Sequence, residues 1–469
     1  MTADTAVQGA RIASSHGRLH PVLIMLWVLL AAAVLTHLIP AGKFQRHGRL
    51  VVPGTYRVLP KVDGLPAVLA PTAPTPKDRP ARSASAVSLF TAVPAGMIKG
   101  ASLIFMVTFV GGMFGVMRRT GAIDAGVDRL LHLTSGNVYL LTSLLMVMLA
   151  LGSTFLGFIS EYLVVIPLVG LVGQRLGLPN LFAVAVVGVA AKIGYAASVT
   201  NPVALAVAQP LAGVPVFSGL GERLAIFGVM LGLGIAYVLF YLWRLPKIAH
   251  APEATRLTWR QTGVLTCLVL GGAALLAGTR LWSWSSSELA SVFIALSMVL
   301  AAVGGLEAGE AADAFVDGMK SMLLAGLLIG LAGAVEVVLQ ASQVLDSIIQ
   351  GVTSVVQGHA PWLVAAGLMG SEMVLDVFIP SVSGKAAISI PILTPIAHLS
   401  GVSAQDTVTA FLLGGGLTNM VTPTSGMLLA YLSASKVSYG EWIRFIAPLF
   451  ALLTLVAVAA LALLVGVGA

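Results

Sequence analysis

Two stretches of this chain are apolar enough to cross a bilayer, and each is interrupted near its middle by residues foreign to a lipid-facing helix. In the first, Leu181 to Leu211, the interruption is Thr200-Asn201-Pro202. In the second, Val408 to Leu432, it is Thr418-Asn419 followed by Val421-Thr422-Pro423-Thr424. Backbone at membrane depth can leave its helix only where protein or a water-filled cavity satisfies the freed amides and carbonyls. The two asparagines hold matching places in the two halves of the chain. Paired interruptions in corresponding halves of one chain point to the binding site of a secondary transporter.

The rest of the sequence agrees with a membrane setting. The chain is 58% hydrophobic and 10% charged, with mean hydropathy +0.97, a surface that water could not solvate. Apolar runs near the roughly 20 residues of a spanning helix recur throughout, and 51 glycines suit close helix packing in lipid. The lone Cys267 can form no intrachain disulfide and reads as a packing residue. The net charge of +7 carries no basic–aromatic pattern that asks for nucleic acid, so the expected partners are membrane lipid and a small-molecule substrate.

In chain order, residues 1–20 read as a polar cytoplasmic N-terminus and 21–41 as a first transmembrane helix. A signal peptide shares that outline, but no small-x-small cleavage site follows. Residues 43–86 form a long extracytoplasmic loop, in which Phe44–Leu59 alternates around Pro53-Gly54 like a small β-hairpin and Pro71–Pro80 reads as extended. A first repeat spans 87–243. It holds an approach helix, a span at 100–117, an interfacial arm at 120–133, an interrupted stretch at 137–173 and the broken helix 181–212. A basic loop at 244–260 and connecting helices at 261–304 lead to a second repeat at 307–467. Its interrupted stretch is 361–397 and its broken helix 404–435.

The register of the duplication drifts slowly. Gly96-Met97 returns as Gly318-Met319, and Ile123-Asp124 returns at the same offset as Leu345-Asp346. Glu161 and Lys385, each with a proline at the sixth position after it, lie at a slightly longer offset, which Gly177 and Gly401 share. The Thr-Asn pairs, and Gly221-Glu222 with Gly440-Glu441, lie at slightly shorter ones. Six such landmarks argue for a duplicated unit. If 137–173 and 361–397 are re-entrant hairpins, four crossings separate the copies and the repeats are inverted; one extra span in each would make them parallel. Charge favours the inverted count. Inner loops would carry Arg118, Arg119, Arg129, Arg175, Arg244, Lys247, Arg256, Arg260 and Lys436, and short outer loops little beyond Arg223 and Arg280. The predicted fold is an all-α polytopic membrane protein of two inverted repeats, each with a re-entrant hairpin and a broken transmembrane helix. It is expected in the bacterial cytoplasmic (inner) membrane, with its N-terminus on the cytoplasmic side.

Hairpin tips and broken helices expose amides at half-helix N-termini, where the dipole favours an anion. Unwound carbonyls and the side-chain oxygens of Asn201 and Asn419 suit a cation instead. Thr200, Thr418, Thr422 and Thr424 add hydroxyls for substrate or ion, unless they only cap the broken ends. The first tip offers Ser160-Glu161 and the second Ser381, Ser383, Gly384 and Lys385. A charge at the bilayer centre costs at least ~2.5–3.5 kcal/mol and needs a partner or a function. Glu161 sits where a helix N-terminus favours it; Lys385 sits where the dipole opposes it, which calls for an anion such as Glu372, Asp376 or a substrate. Lys385 is therefore expected to stand in for a coupling cation or to bind a substrate carboxylate. Glu161, Asp376 and the two asparagines are the candidate coupling-ion ligands, for Na+ or H+, with no other cofactor. The plain alternative is a structural Lys385–Asp376 pair. Lys192, which precedes Asn201 in the same broken helix, either snorkels, pairs or takes part.

An enzyme is disfavoured. Ser381 and Ser383 near Lys385 allow a serine–lysine dyad on paper, but there is no HExxH, the histidines are scattered, and no GxxxxGK[ST] loop occurs. A channel with similar hairpins stays open as an alternative to a carrier.

The run Ile379-Pro-Ser-Val-Ser-Gly-Lys-Ala-Ala and the run Gly415-Gly-Leu-Thr-Asn-Met-Val-Thr-Pro-Thr-Ser-Gly resemble the YfcC-like branch of the ion transporter superfamily. So do Thr36–Gly42, Val51-Val-Pro-Gly-Thr-Tyr and Thr120-Gly-Ala-Ile-Asp-Ala-Gly. That branch is related to C4-dicarboxylate carriers and to arginine/ornithine-type carriers. The resemblance covers nearly the whole chain. It implies an INDY-like elevator architecture, a scaffold that forms a homodimer, and transport of a small carboxylate or a basic amino acid. The sodium–dicarboxylate carriers have Ser-Asn-Thr at each tip beside a bound sodium; this chain has neither copy, so the two sodium sites do not carry over.

Overall fold

A computed structural model describes residues 21–468 except 48–49, 53, 76, 78–79, 123–124, 127–128, 130–136, 246–256, 283, 285 and 357–358. The N-terminal segment, most of the arm at 120–133, the Ile123-Asp124 landmark, and Lys247 and Arg256 of the basic loop therefore lie outside the described residues. Among the described residues ten helical segments, one of them the broken stretch Leu181–Ala212 taken whole, are long and apolar enough to cross a membrane.

Helix α1 (Pro21–Leu38) opens the described chain. The loop after it folds into short antiparallel pairs, β1 (Gly42–Lys43) with β4 (Arg57–Val58) and β2 (Arg46–His47) with β3 (Leu50–Val51). β5 (Lys61–Val62), the one-turn helix α2 (Leu65–Val68) and β6 (Ala81–Arg82), which pairs parallel with β5, complete it. Residues 71–80 hold no regular element among the described positions. This loop is docked rather than loose. Asp346 accepts from Arg46 at 2.5 Å and from the Phe44 amide at 3.0 Å, and Phe44 is buried with Ile349, Leu375 and Ile392.

From Ala86 onward the elements come twice. α3 (Ala86–Lys99) and α4 (Ala101–Arg119) return as α12 (Ala308–Ser321) and α13 (Leu323–Ala341), every bound displaced by the offset that separates Gly96 from Gly318. α5 (Val138–Leu156), a 3-10 turn at Ser160–Leu163 and α6 (Val165–Arg175) correspond to α15 (Pro361–Phe378) and α16 (Val382–Leu399). α7 (Leu181–Ala197) and α8 (Pro202–Ala212) correspond to α17 (Ala404–Thr418) and α18 (Gly426–Ala434), and α9 (Leu220–Trp243) to α19 (Tyr439–Gly468). Between the sets lie α10 (Trp259–Leu281) and α11 (Ser286–Gly304), with α14 (Leu345–Val356) after α13.

Packing between the sets is reciprocal. α3 packs on α13 and α12 on α4; α8 packs on α16, while α18 packs on the 3-10 turn and α6. The first exchange needs glycine. A side chain at Gly96 would strike the backbone of Gly330 and Ala334, and one at Gly318, its counterpart, would strike the backbone of Gly111. Such small-residue crossings let two helix backbones touch in lipid, where apolar burial alone brings little association.

Burial follows the breaks. Every residue of α7 is buried, and so are residues 406–418 of α17. These two helices cross each other, with Gly416 against the Ala196 backbone.

Replacing Gly318 with leucine should lower the thermal unfolding midpoint, because the obstacle is backbone and overpacking of this kind costs about 1–3 kcal/mol. Leucine at Gly309, on the same helix but with nothing within 4 Å, should be neutral or slightly stabilising. Size-exclusion profiles after graded heating in detergent would separate the two.

Candidate functional site

Much of the unwound backbone of the first break finds partners within the protein. α7 ends at Ser198 in the left-handed region (φ 41), and the Ser198 amide still reaches Gly194 O at 2.9 Å. The Val199 amide donates to Thr154 Oγ1 (3.0 Å) and the Thr200 amide to Thr154 O (3.1 Å), both from α5. Pro202 has no amide to satisfy. Asn201 caps α8 by accepting from the Val203 amide at 3.0 Å, and its Nδ2 donates to Ser198 Oγ at 3.1 Å. The Thr200 hydroxyl donates to Phe155 O at 3.2 Å. Asn201 is wholly enclosed, so its amide works inside the break, as an N-cap does.

The second break is held in a similar way with a different outcome. The Thr418 hydroxyl donates to Gly414 O at 2.9 Å; the Thr422 and Thr424 hydroxyls bond each other at 2.7 Å, and Thr422 Oγ1 also accepts from the Thr424 amide at 3.3 Å. Ser425 Oγ caps α18 and donates to Asn419 Oδ1 at 2.7 Å. Asn419 Nδ2 donates to Asp376 Oδ2 at 2.6 Å and to Gly415 O at 3.0 Å. The second asparagine therefore faces a charged group, which the first does not.

Asp376 is the centre of that group. Its other oxygen pairs with Lys385 Nζ at 2.8 Å, and Lys385 Nζ stands 3.5 Å from Glu372 Oε2. All three side chains are at most 3% exposed. α15 carries both carboxylates one turn apart on one face, and α16 returns Lys385 to meet them. Gly415 makes room: a Cβ there would press on the lysine amine. The amine also lies 4.9 Å from the centre of the Phe411 ring, a cation–π contact. Neither Glu372 oxygen has a hydrogen-bond partner; the nearby Ser389 hydroxyl donates instead to Lys385 O at 2.9 Å. Lys192 of α7, also buried, comes within electrostatic range of Asp376, but forms no ion pair within 4.0 Å among the described residues. The arrangement is two buried amines and two buried carboxylates, of which one pair is tightly joined.

The remaining tip residues separate. Ser381 caps α16 by accepting from the Gly384 amide at 3.3 Å; Ser381 and Ser383 are both exposed. At the first tip, Glu161 Oε2 accepts from the Ile159 amide and from Ser160 Oγ, each at 3.1 Å. Tyr431 of α18 donates to Ile159 O, so the second broken helix grips the first tip. Thr154, Ser425 and Tyr431 carry no sequence mark that singles them out, since their roles arise from helices distant in the chain. Arg223, read from the sequence as an outer-loop charge, is instead buried at the start of α9, because the first turn of that helix packs inward against the break.

A cavity of about 1400 Å³ lies between α4 and α12 on one side and α6 and the end of α18 on the other. Arg118, Gln174, Asp317 and Lys436 are among its walls. It does not reach Lys385 or Asp376.

A polytopic helical protein with two enclosed breaks and a buried charge cluster is built as a membrane transporter is built. A family model described as C4-dicarboxylate anaerobic carrier (DcuC) matches residues 20–466, and the chain belongs to that family. It is 27% identical over 476 residues to a protein of Escherichia coli K12 named "Putative basic amino acid antiporter YfcC", covering 92% of this chain and 93% of the relative. It is 26% identical over 383 residues to an uncharacterized protein of Haemophilus influenzae Rd, covering 77% and 75%. Among solved structures, the YdaH transporter of Alcanivorax borkumensis aligns at 18% identity, TM-score 0.45, covering 96% of this chain and 99% of its own. MtrF of Neisseria gonorrhoeae, described with a class of antimetabolite efflux pumps, aligns at 17% identity, TM-score 0.44, covering 95% and 94%. Those two superpositions are too loose to match site residues.

Lys385→Met leaves both carboxylates without their cation and should destabilise by about 3–5 kcal/mol, while Asp376→Leu leaves the lysine its 3.5 Å contact to Glu372 and should cost less. The double variant should recover most of that loss. Thermal unfolding midpoints of the three proteins would show it, and a double variant as unstable as the sum of the singles would disprove the coupling.

Proposed function

We propose that the protein is a secondary active carrier of small carboxylates, with two inverted repeats that move as an elevator. Lys385 serves as its tethered cation. The observation that carries this reading is the cluster in which Lys385 joins Asp376 while Asn419 ties the same carboxylate to the second break. A buried amine at that place can neutralise Asp376 when no substrate is present. It can also turn to a substrate carboxylate when one arrives, where the related sodium-dependent architecture would use a metal ion. Membership of the C4-dicarboxylate carrier family supports the substrate class.

The helices fall into two groups that suit an elevator. One comprises α1, α3, α4 and α10–α13; the other holds both breaks and both tips. The cavity lies along their boundary and is lined by Arg118, Arg119 and Lys436, cations that the positive-inside rule assigns to the cytoplasmic side. On this reading the N-terminus is cytoplasmic, the interrupted stretches are re-entrant, and the protein sits in the bacterial inner membrane. The first group then forms a homodimer.

A second reading, a basic amino acid antiporter, draws on one specific observation. Both oxygens of Glu372 are enclosed without a hydrogen bond, a site suited to a substrate ammonium group. The E. coli relative's name points the same way.

Counterflow in proteoliposomes tests both. Preloaded succinate should drive saturable uptake of labelled succinate, undiminished when potassium replaces sodium and abolished in Lys385→Ala. Full transport with unchanged affinity in that variant would end the tethered-cation reading. Uptake of arginine but not succinate would select the antiporter, and unitary current steps would select a channel.

A further inference from the structure

Arg223 stands in the first turn of α9 and is 1% exposed. Its Nη2 donates to Val199 O in the first break at 3.1 Å. Its Nε and Nη1 are enclosed and have no partner, and no carboxylate of the described residues lies within 4.0 Å. The neighbouring Glu222 is exposed. A guanidinium cannot shed its proton, so it cannot escape burial by becoming neutral. An uncompensated charge of this kind inside a membrane protein marks a functional position.

The second repeat shows what the structural task alone requires. Trp442 occupies the corresponding place, following Gly440-Glu441 as Arg223 follows Gly221-Glu222. It too is wholly buried, and its Nε1 donates to Met420 O in the second break at 2.8 Å. One neutral N–H therefore suffices to tie the following helix to the break. The first repeat does the same with one nitrogen of a guanidinium and brings a charge and two further nitrogens that the tie does not use.

A third free donor lies nearby. Gln405 of α17 presents a buried, unpartnered Nε2 beside Gly219, one turn before Arg223 on the same face of α9. Its Oε1 is already engaged by Ser218 Oγ at 2.7 Å and Gln209 Nε2 at 3.3 Å. The unpartnered groups here are all donors. The N-terminus of α9, 24 residues long, adds a dipole of the same sign. Donors, a permanent cation and a helix N-terminus together specify an anion, and a guanidinium fork matches a carboxylate best.

We propose that Arg223, with Gln405 Nε2 and the start of α9, binds the carboxylate group of a small organic anion against the first break. This rests on the carboxylate-carrier reading and assigns it a second cationic residue, on the opposite repeat from Lys385.

The test uses the detergent-purified full chain with succinate and, separately, sodium chloride as probes in low-salt buffer, read by thermal midpoint. The variants are Arg223→Trp, which copies the tie of the second repeat, Arg223→Gln and Arg223→Lys. The wild type should respond to succinate and not to chloride. Without ligand, the tryptophan and glutamine variants should unfold at the same temperature as the wild type or higher, since a bare charge is gone. Both should need at least tenfold more succinate for half of the shift, and the lysine variant an intermediate amount. An unchanged succinate response in the variants would overturn the proposal while leaving the carrier reading intact. Stability and response lost together in both neutral variants would overturn it in favour of a structural tie. A wild type that answers chloride alone would overturn the carboxylate assignment. One that answers no carboxylate would overturn both this proposal and the carrier reading.

Discussion

Broken backbone cannot face lipid, and much of this structure follows from that constraint. Each break frees amides and carbonyls that hydrocarbon cannot solvate, so each must be sheltered from lipid by protein or by a water-filled cavity. The burial of all of α7 and nearly all of α17 is the direct result. The tip helices, α8 and α18, and the first turns of α9 and α19 are packed around those two breaks, and several lend a hydrogen bond to them. Thr154 from α5, Trp442 from α19 and Arg223 from α9 each serve a backbone group that the unwinding released.

Enclosure also sets the electrostatics. Where water is excluded, a charge near a break needs a partner, in the protein or in what the protein binds. At the second break the cluster nearly closes on itself: Lys385, Asp376 and Asn419 satisfy one another. Glu372 has only the longer 3.5 Å contact to Lys385 and no hydrogen bond, and Lys192 stands buried without an ion pair among the described residues. At the first break the balance is open in the other direction, with Arg223 in excess of donors. The two halves repeat in geometry and differ in charge.

Much of this was legible in the residues. The breaks are marked by polar residues and prolines inside apolar runs, and the duplication by landmarks such as Gly96 and Gly318, whose spacing reappears in the bounds of α3 and α12. Lys385 and Asp376 could be matched because a lysine at a helix start demands an anion nearby. What stayed hidden depends on which way a helix faces and on partners far away in the chain. The hydroxyls of Thr422 and Thr424 look like ligands in sequence but bond each other. Tyr431 gives no hint of reaching Ile159, which belongs to the other repeat. Arg223 resembles a loop charge because its burial depends on the inward tilt of the first turn of α9.

The glycine crossings have a consequence for how the molecule is made. α3 docks on α13 and α4 on α12, so these two helices of the first half meet those partners only after most of the remaining chain has left the ribosome. Until then Gly96 and Gly111 have nothing to press against, and the first break lacks the walls that α17 and α18 provide. Contacts between such distant segments form late and at a high cost in chain entropy. During synthesis the first repeat must therefore wait in the bilayer with polar groups uncovered. Lipid headgroups, the insertion machinery or transient self-pairing must shelter Lys192 until Asp376 arrives with the second half.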